Sequence, residues 1–235
     1  LVESAPRTAL QVAVGRSALE AAARAIRAAK RPLIVAGGGV IYSDAHEALR
    51  AYVESTGIPV GTSQAGVGSL NWDHPQLLGA IGATGTSAAN RAAHDADVVI
   101  GIGTRYSDFT AASRTAFQNA DVKFVNINVA SFDAFKHGSA MPVVADARAA
   151  IEELTELLSG HSVAAVYRAE YTNNMSAWNA AVDASFEPSG LDLPGQSEII
   201  GAVQRAMDER DVVVCAAGSL PGDLHKLWRV RDGLG

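Results

Sequence analysis

Absences narrow this sequence first. Its 235 residues hold one cysteine, Cys215, so no internal disulfide can form and a reducing compartment is expected. Cys215 sits in the apolar run "VVVCAA", a setting that favours a buried, inert thiol over a nucleophile. No run approaches the roughly 18 apolar residues of a membrane span. The opening "LVESAPRTAL" has no basic segment leading into an apolar one, so no membrane partner is expected and the cytoplasm is the expected location. The 19 Lys and Arg are scattered and the formal net charge is −6, which leaves no basic stripe for a phosphate backbone and no expected nucleic-acid partner.

Familiar catalytic signatures are missing too. His46, His74, His94, His137, His161 and His225 show no paired spacing with Cys or acidic residues on a helix, and neither H-E-x-x-H nor C-x-x-C occurs, so no zinc site is expected. No G-x-S-x-G elbow occurs, and Ser219 in "AAGSLPG" lacks the glycine two places before it that such an elbow needs, so a hydrolase triad has no visible nucleophile. Asp232 in the terminal "DGLG" is read as solvated rather than as a metal ligand.

What is present is small and apolar: 48% hydrophobic residues, 22 Gly and 6% aromatics, a globular composition. "SALEAAARAIRAAK" predicts a helix over about 17–29, with Ser17 and Glu20 at capping-box spacing. "RPLIVAGG" reads as a strand between Pro32 and Gly37, and "DAHEALRAYVESTG" as a helix with Asp44 and Glu47 as its capping pair and Gly57 as its stop. The alternation continues through "IPVGTS", the helical "TSAANRAAHDA", "DVVIGIGT", "VKFVNINV", "MPVVAD" and the helical "ARAAIEELTELLS". Apolar strands spaced by helices predict a doubly wound parallel sheet covered on both faces, placed over residues 18–159 behind a linker at 1–17.

Three glycine-bearing stretches are candidate binding turns. In "LIVAGGGVIYSDA", Gly37 and Gly39 fill the first two places of a dinucleotide fingerprint, but Tyr42 holds the third and the next strand ends in Thr62 and Ser63 with no ribose carboxylate. A structural corner is favoured there over a nucleotide site. "LGAIGATGTSAAN" places Gly79, Gly82 and Gly85 before a helix capped by Thr86 or Ser87; a tight turn is favoured over an anion site. "GIGTRYSDFTA" places Arg105 and Asp108 just past a strand, where Arg105 is a candidate clamp for a phosphate or carboxylate, or the partner of Asp108 or of a helix C-terminus.

Character changes at residue 160. The segment 160–196 reads as a helix and an extended linker carrying Pro188, Gly190, Pro194 and Gly195. A new helix capped by Ser197 follows, and then a buried strand "VVVCAAGS" ending at Gly218. That second α/β unit, 197–235, is incomplete, since one helix and one strand cannot bury a core. The chain also opens without Met and stops at "RVRDGLG", so it is read as an excised piece of something longer.

Together, "RPLIVAGGGVIYSDAHEAL", the run from "TGIPVGTSQAG" through "DHPQLLGAIGATGTSAAN" to "GIGTRYSDFT", and "FVNINV" before "MPVVADARAAIEEL" resemble the Rossmann-like central domain of thiamine-diphosphate-dependent enzymes of the acetolactate synthase and pyruvate oxidase group. Within that group "VVVCAAGSLPGDLHKLW" resembles the branch that opens a cyclic diketone in inositol breakdown by adding water across a carbon–carbon bond. An acetolactate synthase-like carboligase or lyase and a stand-alone nucleotide-binding module are the alternatives. The resemblance implies a full enzyme with thiamine diphosphate and Mg2+, a small-molecule substrate, and a homodimer or homotetramer holding the coenzyme between subunits. It places the activating glutamate in a preceding domain and the G-D-G magnesium motif beyond Gly235, so no catalytic residue and no metal ligand is assigned here and the chain alone is expected to be inert. Gly218, Ser219 and Leu220 resemble the turn that meets the coenzyme's diphosphate. Some central domains of the group hold a flavin; with Tyr42 in the fingerprint and no ribose carboxylate, none is expected here.

Overall fold

In the computed structural model, which describes residues 15–138, 141–208, 211–216 and 218–230, the alternation becomes six strands and nine α-helices among the described residues. The strands are β1 (Pro32–Ala36), β2 (Val60–Thr62), β3 (Leu77–Ala80), β4 (Val98–Ile102), β5 (Lys123–Asn128) and β6 (Met141–Val144). They lie in the order β3-β2-β1-β4-β5-β6, with every pairing parallel. Ile34 sits opposite Val60 on one side and Ile100 on the other. Both central strands, β1 and β4, are buried at every residue, as expected where helices cover both faces of a parallel sheet.

Most of the helices follow from their apolar spacing. In α1 (Arg16–Ala28), Leu19, Ala22, Ala23 and Ile26 form the buried stripe, the i, i+3, i+4, i+7 set of an amphipathic helix. Then come α2 (Gly38–Tyr42), α3 (His46–Thr56), α4 (Ser87–Asp95), α5 (Ser131–Ala134) and α6 (Ala147–Leu157). Helices α1, α3 and α6 pack together, and α4 packs on α7 (Ala165–Phe186). Alanine dominates the contact stripe of α4, with Ala88, Ala89, Ala92 and Ala93 all buried, so this helix can approach the sheet closely.

Helix starts depart from the sequence expectations in instructive ways. Gly15 precedes α1 and no side chain caps it; Ser17 falls inside the first turn, while Arg16 reaches Glu20 at 3.4 Å. Ahead of α3, Ala45 is the N-cap and Asp44 takes φ 50°, because the chain must reverse between α2 and α3 within a few residues. Glu47 pairs with Arg50 instead of capping. Gly57 does stop α3 in the left-handed region at φ 66°. Thr86 caps α4, its hydroxyl accepting from the Ala89 amide at 2.9 Å while donating to the Leu78 carbonyl at 2.6 Å.

One strand was hidden in the sequence. β3 falls within the stretch read as a glycine turn, because "LLGA" is short and carries a glycine; pairing with β2 is what makes it a strand. Beyond the sheet, the 22-residue α7 bridges two cores. Its first half is stapled under the sheet, with Tyr167 Oη donating to the Pro32 carbonyl at 3.2 Å and Tyr171 Oη to that of Gly57 at 2.9 Å. Its second half brings Val182 and Phe186 against Ile200 of α8 (Gln196–Ala206) and Leu227 of α9 (Ser219–Leu227). Gly195, not Ser197, precedes α8, and the Glu198 carboxylate accepts from the Gly195 amide at 3.2 Å.

The buried strand expected at "VVVCAAGS" is not found among the described residues. Residues 211–216 belong to no strand, Val212 and Val214 are 67% and 91% exposed, and the Cys215 thiol is exposed rather than buried. A β-run needs neighbouring strands for its N–H and C=O groups and its side chains, and among the described residues no strand pairs with this one. Asp232 and most of the 1–17 linker fall outside the described residues.

Candidate functional site

β1 leads to β2 on one side and β4 lies on the other, so connections leave the carboxyl ends of β1 and β4 in opposite directions. Such a topological switch point is where open α/β sheets bind ligands. Here its floor is made by glycines pressed against one another. A Cβ added at Gly37 would lie 2.3 Å from the Gly103 carbonyl oxygen, one at Gly39 would lie 2.5 Å from Gly103 Cα, and one at Gly66 would lie 2.1 Å from the Ala36 oxygen. Gly103 itself takes φ 61°. Hydrogen bonds lock the corner: the Gly37 amide donates to the Ile102 carbonyl at 2.8 Å and the Gly39 amide to that of Gly103 at 3.1 Å.

These bonds settle what the "AGGG" turn does locally. The amides a dinucleotide's pyrophosphate would use at Gly37 and Gly39 are spent on the end of β4, so the turn serves as a sheet corner. The second glycine turn is likewise closed on itself, the Asn90 side chain accepting from the Gly82 amide at 2.8 Å and donating to the Gly82 carbonyl at 2.9 Å. The Asn90 side chain thus occupies the Gly82 amide that an anion at this turn would use.

Above the corner lies a cleft of about 770 Å³, bounded by Tyr42, Gln64, Thr104, Arg105, Phe109 and His225 among others. Arg105 and Asp108 are both exposed and form no ion pair with each other among the described residues. The β4–β5 connection that supplies much of the wall is strained, with Tyr106, Ala112, Ser113 and Arg114 at φ of 47°, 46°, 51° and 70°. Tyr106 is held edge-on to Phe117 and Phe124, and burial pushes its hydroxyl well above the usual phenol range. Among the described residues no group of three or more His, Cys, Asp or Glu could hold a metal, and no helix is long and apolar enough to cross a membrane.

Gly218, Ser219 and Leu220 open α9. Gly218 takes φ 137°, with open space where a Cβ would be, and no side chain caps the helix or places a carboxylate in its first turn. Ser219 and Leu220 are exposed. An uncapped nine-residue helix start with its basic residues, His225 and Lys226, in the last turn leaves the Ser219 and Leu220 amides available as anion donors, Pro221 after them having no N–H. This geometry fits the diphosphate end of a coenzyme. Nothing among the described residues supplies the metal ligands, so the fit extends to that end alone.

α9 is seated on the sheet by residues that sequence reasoning did not single out. His225 Nδ1 lies 2.8 Å from Thr84 Oγ1, and desolvation lowers the His225 pKa to about 4, offset in part by the Ser63 backbone. Arg229 stacks 4.5 Å over the Trp72 ring and pairs with Asp183 at 2.7 Å, and the Trp72 amide donates to the Val230 carbonyl at 3.1 Å. No local pattern connects Thr84 with His225, 141 positions later.

A sheet of this order, its switch-point cleft and its glycine corner define a doubly wound α/β domain, and comparison with known proteins identifies which. Residues 19–154 match the family described as "Thiamine pyrophosphate enzyme, central domain", and the chain belongs to that family. It is similar to the 3D-(3,5/4)-trihydroxycyclohexane-1,2-dione hydrolase of Clostridium tetani, 36% identical over 237 positions that cover 91% of this chain and 37% of that protein. The Clostridium perfringens (strain ATCC 13124) protein of the same name is 40% identical, covering 86% of this chain and 36% of its own. In Bacillus cereus (strain ZK / E33L), the hydrolase designated 1 is 38% identical over 92% and 37%. The chain therefore spans little more than a third of the length of these curated relatives.

Proposed function

We propose that this chain is the central part of a thiamine-diphosphate-dependent hydrolase that opens a trihydroxycyclohexane-dione ring by adding water across a carbon–carbon bond. The observation that carries this is the reach of the likeness: alignments covering 86–92% of the chain are too long to be confined to residues 19–154, so the likeness to these hydrolases extends beyond the central domain. On this reading 18–159 is the central domain, 1–17 and 160–196 flank it, and 197–235 begins the diphosphate-binding domain.

Gly218, Ser219 and Leu220 would hold the diphosphate, through the first amides of α9 and the Ser219 hydroxyl, without a cationic side chain. When bound, thiamine diphosphate with Mg2+ would supply the carbanion chemistry. The central domain orients the helix that carries the turn and contributes to assembly of a cytoplasmic homodimer or homotetramer. The test is direct. The longer protein, supplied with thiamine diphosphate and magnesium, should open the cyclic dione, and residues 1–235 alone should not; cleavage by residues 1–235 alone, or none by the longer protein, would overturn the proposal.

A further inference from the structure

We propose that Thr84 and His225 form a latch that fixes α9, and with it the Gly218–Leu220 turn, on the loops at the carboxyl edge of the sheet. The proposal rests on the diphosphate reading of that turn for its functional meaning, and on geometry for the latch itself. Gly222 and His225 are three residues apart and so share one face of α9. At Gly222 an added Cβ would lie 2.9 Å from the Thr84 methyl carbon, so the helix rests its bare backbone on Thr84. One turn later His225 Nδ1 meets the hydroxyl of the same threonine at 2.8 Å. One side chain thus both packs under α9 and hydrogen-bonds it.

The latch also has a polarity requirement. Apart from the Ser63 backbone, which faces the His225 ring, Thr84 supplies its one side-chain hydrogen bond among the described residues, and replacing the Thr84 hydroxyl by a methyl would leave the buried Nδ1 unsatisfied. The other anchors of this segment lie elsewhere: Leu227 in the second core, and Arg229 and Val230 at Trp72. Asp223 is taken by Lys226 at 2.7 Å and by Gln196. Thr84 therefore fixes the middle of the helix from the sheet side, as Gln196 does from α8 through Asp223, while Leu227, Arg229 and Val230 hold its far end.

Hydrogen exchange across residues 219–227 of this chain tests the latch. Thr84→Val should accelerate exchange there by about tenfold and leave β1 and β4 unchanged, and Thr84→Ser should restore protection. Gly222→Ala, approaching the contact from the helix side, should accelerate the same amides. If both Thr84→Val and Gly222→Ala leave 219–227 as protected as the parent, the latch is wrong. In the longer protein, calorimetric titration with thiamine diphosphate and magnesium should show Thr84→Val weakening binding by about tenfold and Thr84→Ser restoring it. Loosened exchange with undiminished affinity would overturn the link between latch and turn. Failure of the parent longer protein to bind the coenzyme would instead overturn the diphosphate reading, while the exchange result still decides the latch.

Discussion

Replacing Gly37 by alanine tests whether the glycine corner is a steric necessity. The new methyl would lie 2.3 Å from the Gly103 oxygen, 2.6 Å from Thr104 Cα and 2.7 Å from the Gly103 carbonyl carbon, against a comfortable separation of roughly 3.5 Å. All three are backbone atoms, so no side chain can swing away. Relief requires the end of β4 to move by about an ångström, which strains the Gly37–Ile102 and Gly39–Gly103 bonds and the Gly103 amide's bond to the Ile127 carbonyl at 2.8 Å. Overpacking of this kind costs about 1–3 kcal/mol, and weakening two or three bonds adds about 1 kcal/mol each, so a loss of roughly 3–6 kcal/mol is expected. Guanidinium unfolding followed by circular dichroism reads it. Two controls bracket the effect. Gly61→Ala, whose Cβ would find its nearest atom at an ordinary 3.4 Å, and Gly15→Ala, with nothing within 4 Å, should both stay within about 0.5 kcal/mol of the parent. A Gly37→Ala protein as stable as Gly61→Ala would refute the account of the corner.

Other expectations follow from particular contacts. The seated His225 has its pKa depressed from 6.5 to about 4, so the unseated ring takes up a proton first; seating is fully stabilised above about pH 6.5 and is lost as pH falls toward 4, by up to roughly 3 kcal/mol. NMR titration of the imidazole should show the depressed value, and a midpoint near 6.5 in the folded chain would contradict it. Thr86→Val removes both the cap of α4 and the bond to Leu78, and should lower stability by about 1–3 kcal/mol in the same unfolding assay. Cys215, being exposed, should react with a thiol reagent in the native protein at the rate of a small thiol; labelling only after denaturation would show that residues 211–216 are covered.

Much of this protein was legible locally. Continuous apolar runs marked five of the six strands and 3.6-residue apolar spacing the helices α1, α3, α4 and α6, since burial on both faces of a sheet or under a helix stripe leaves its mark on consecutive residues. β3 escaped because four residues with a glycine carry too little pattern, and its identity comes from pairing with β2. Cap positions failed at Ser17, Asp44 and Ser197 for a related reason: the residues before each helix are placed by the chain's arrival direction, and a side chain of suitable type goes unused when the turn is made elsewhere.

The sequence by itself determined the fold class, the broken fingerprint at Tyr42 and the likeness to thiamine-diphosphate enzymes, because composition, periodicity and motif spacing are properties of neighbouring residues. Tertiary structure alone decided what the glycines and the late histidine do. Gly37 and Gly39 are glycines because Gly103, more than sixty positions later, lies against them, and His225 is seated because Thr84 meets it across the sheet edge. Contacts between distant segments depend on how strands are ordered and helices laid, and no local pattern records that order.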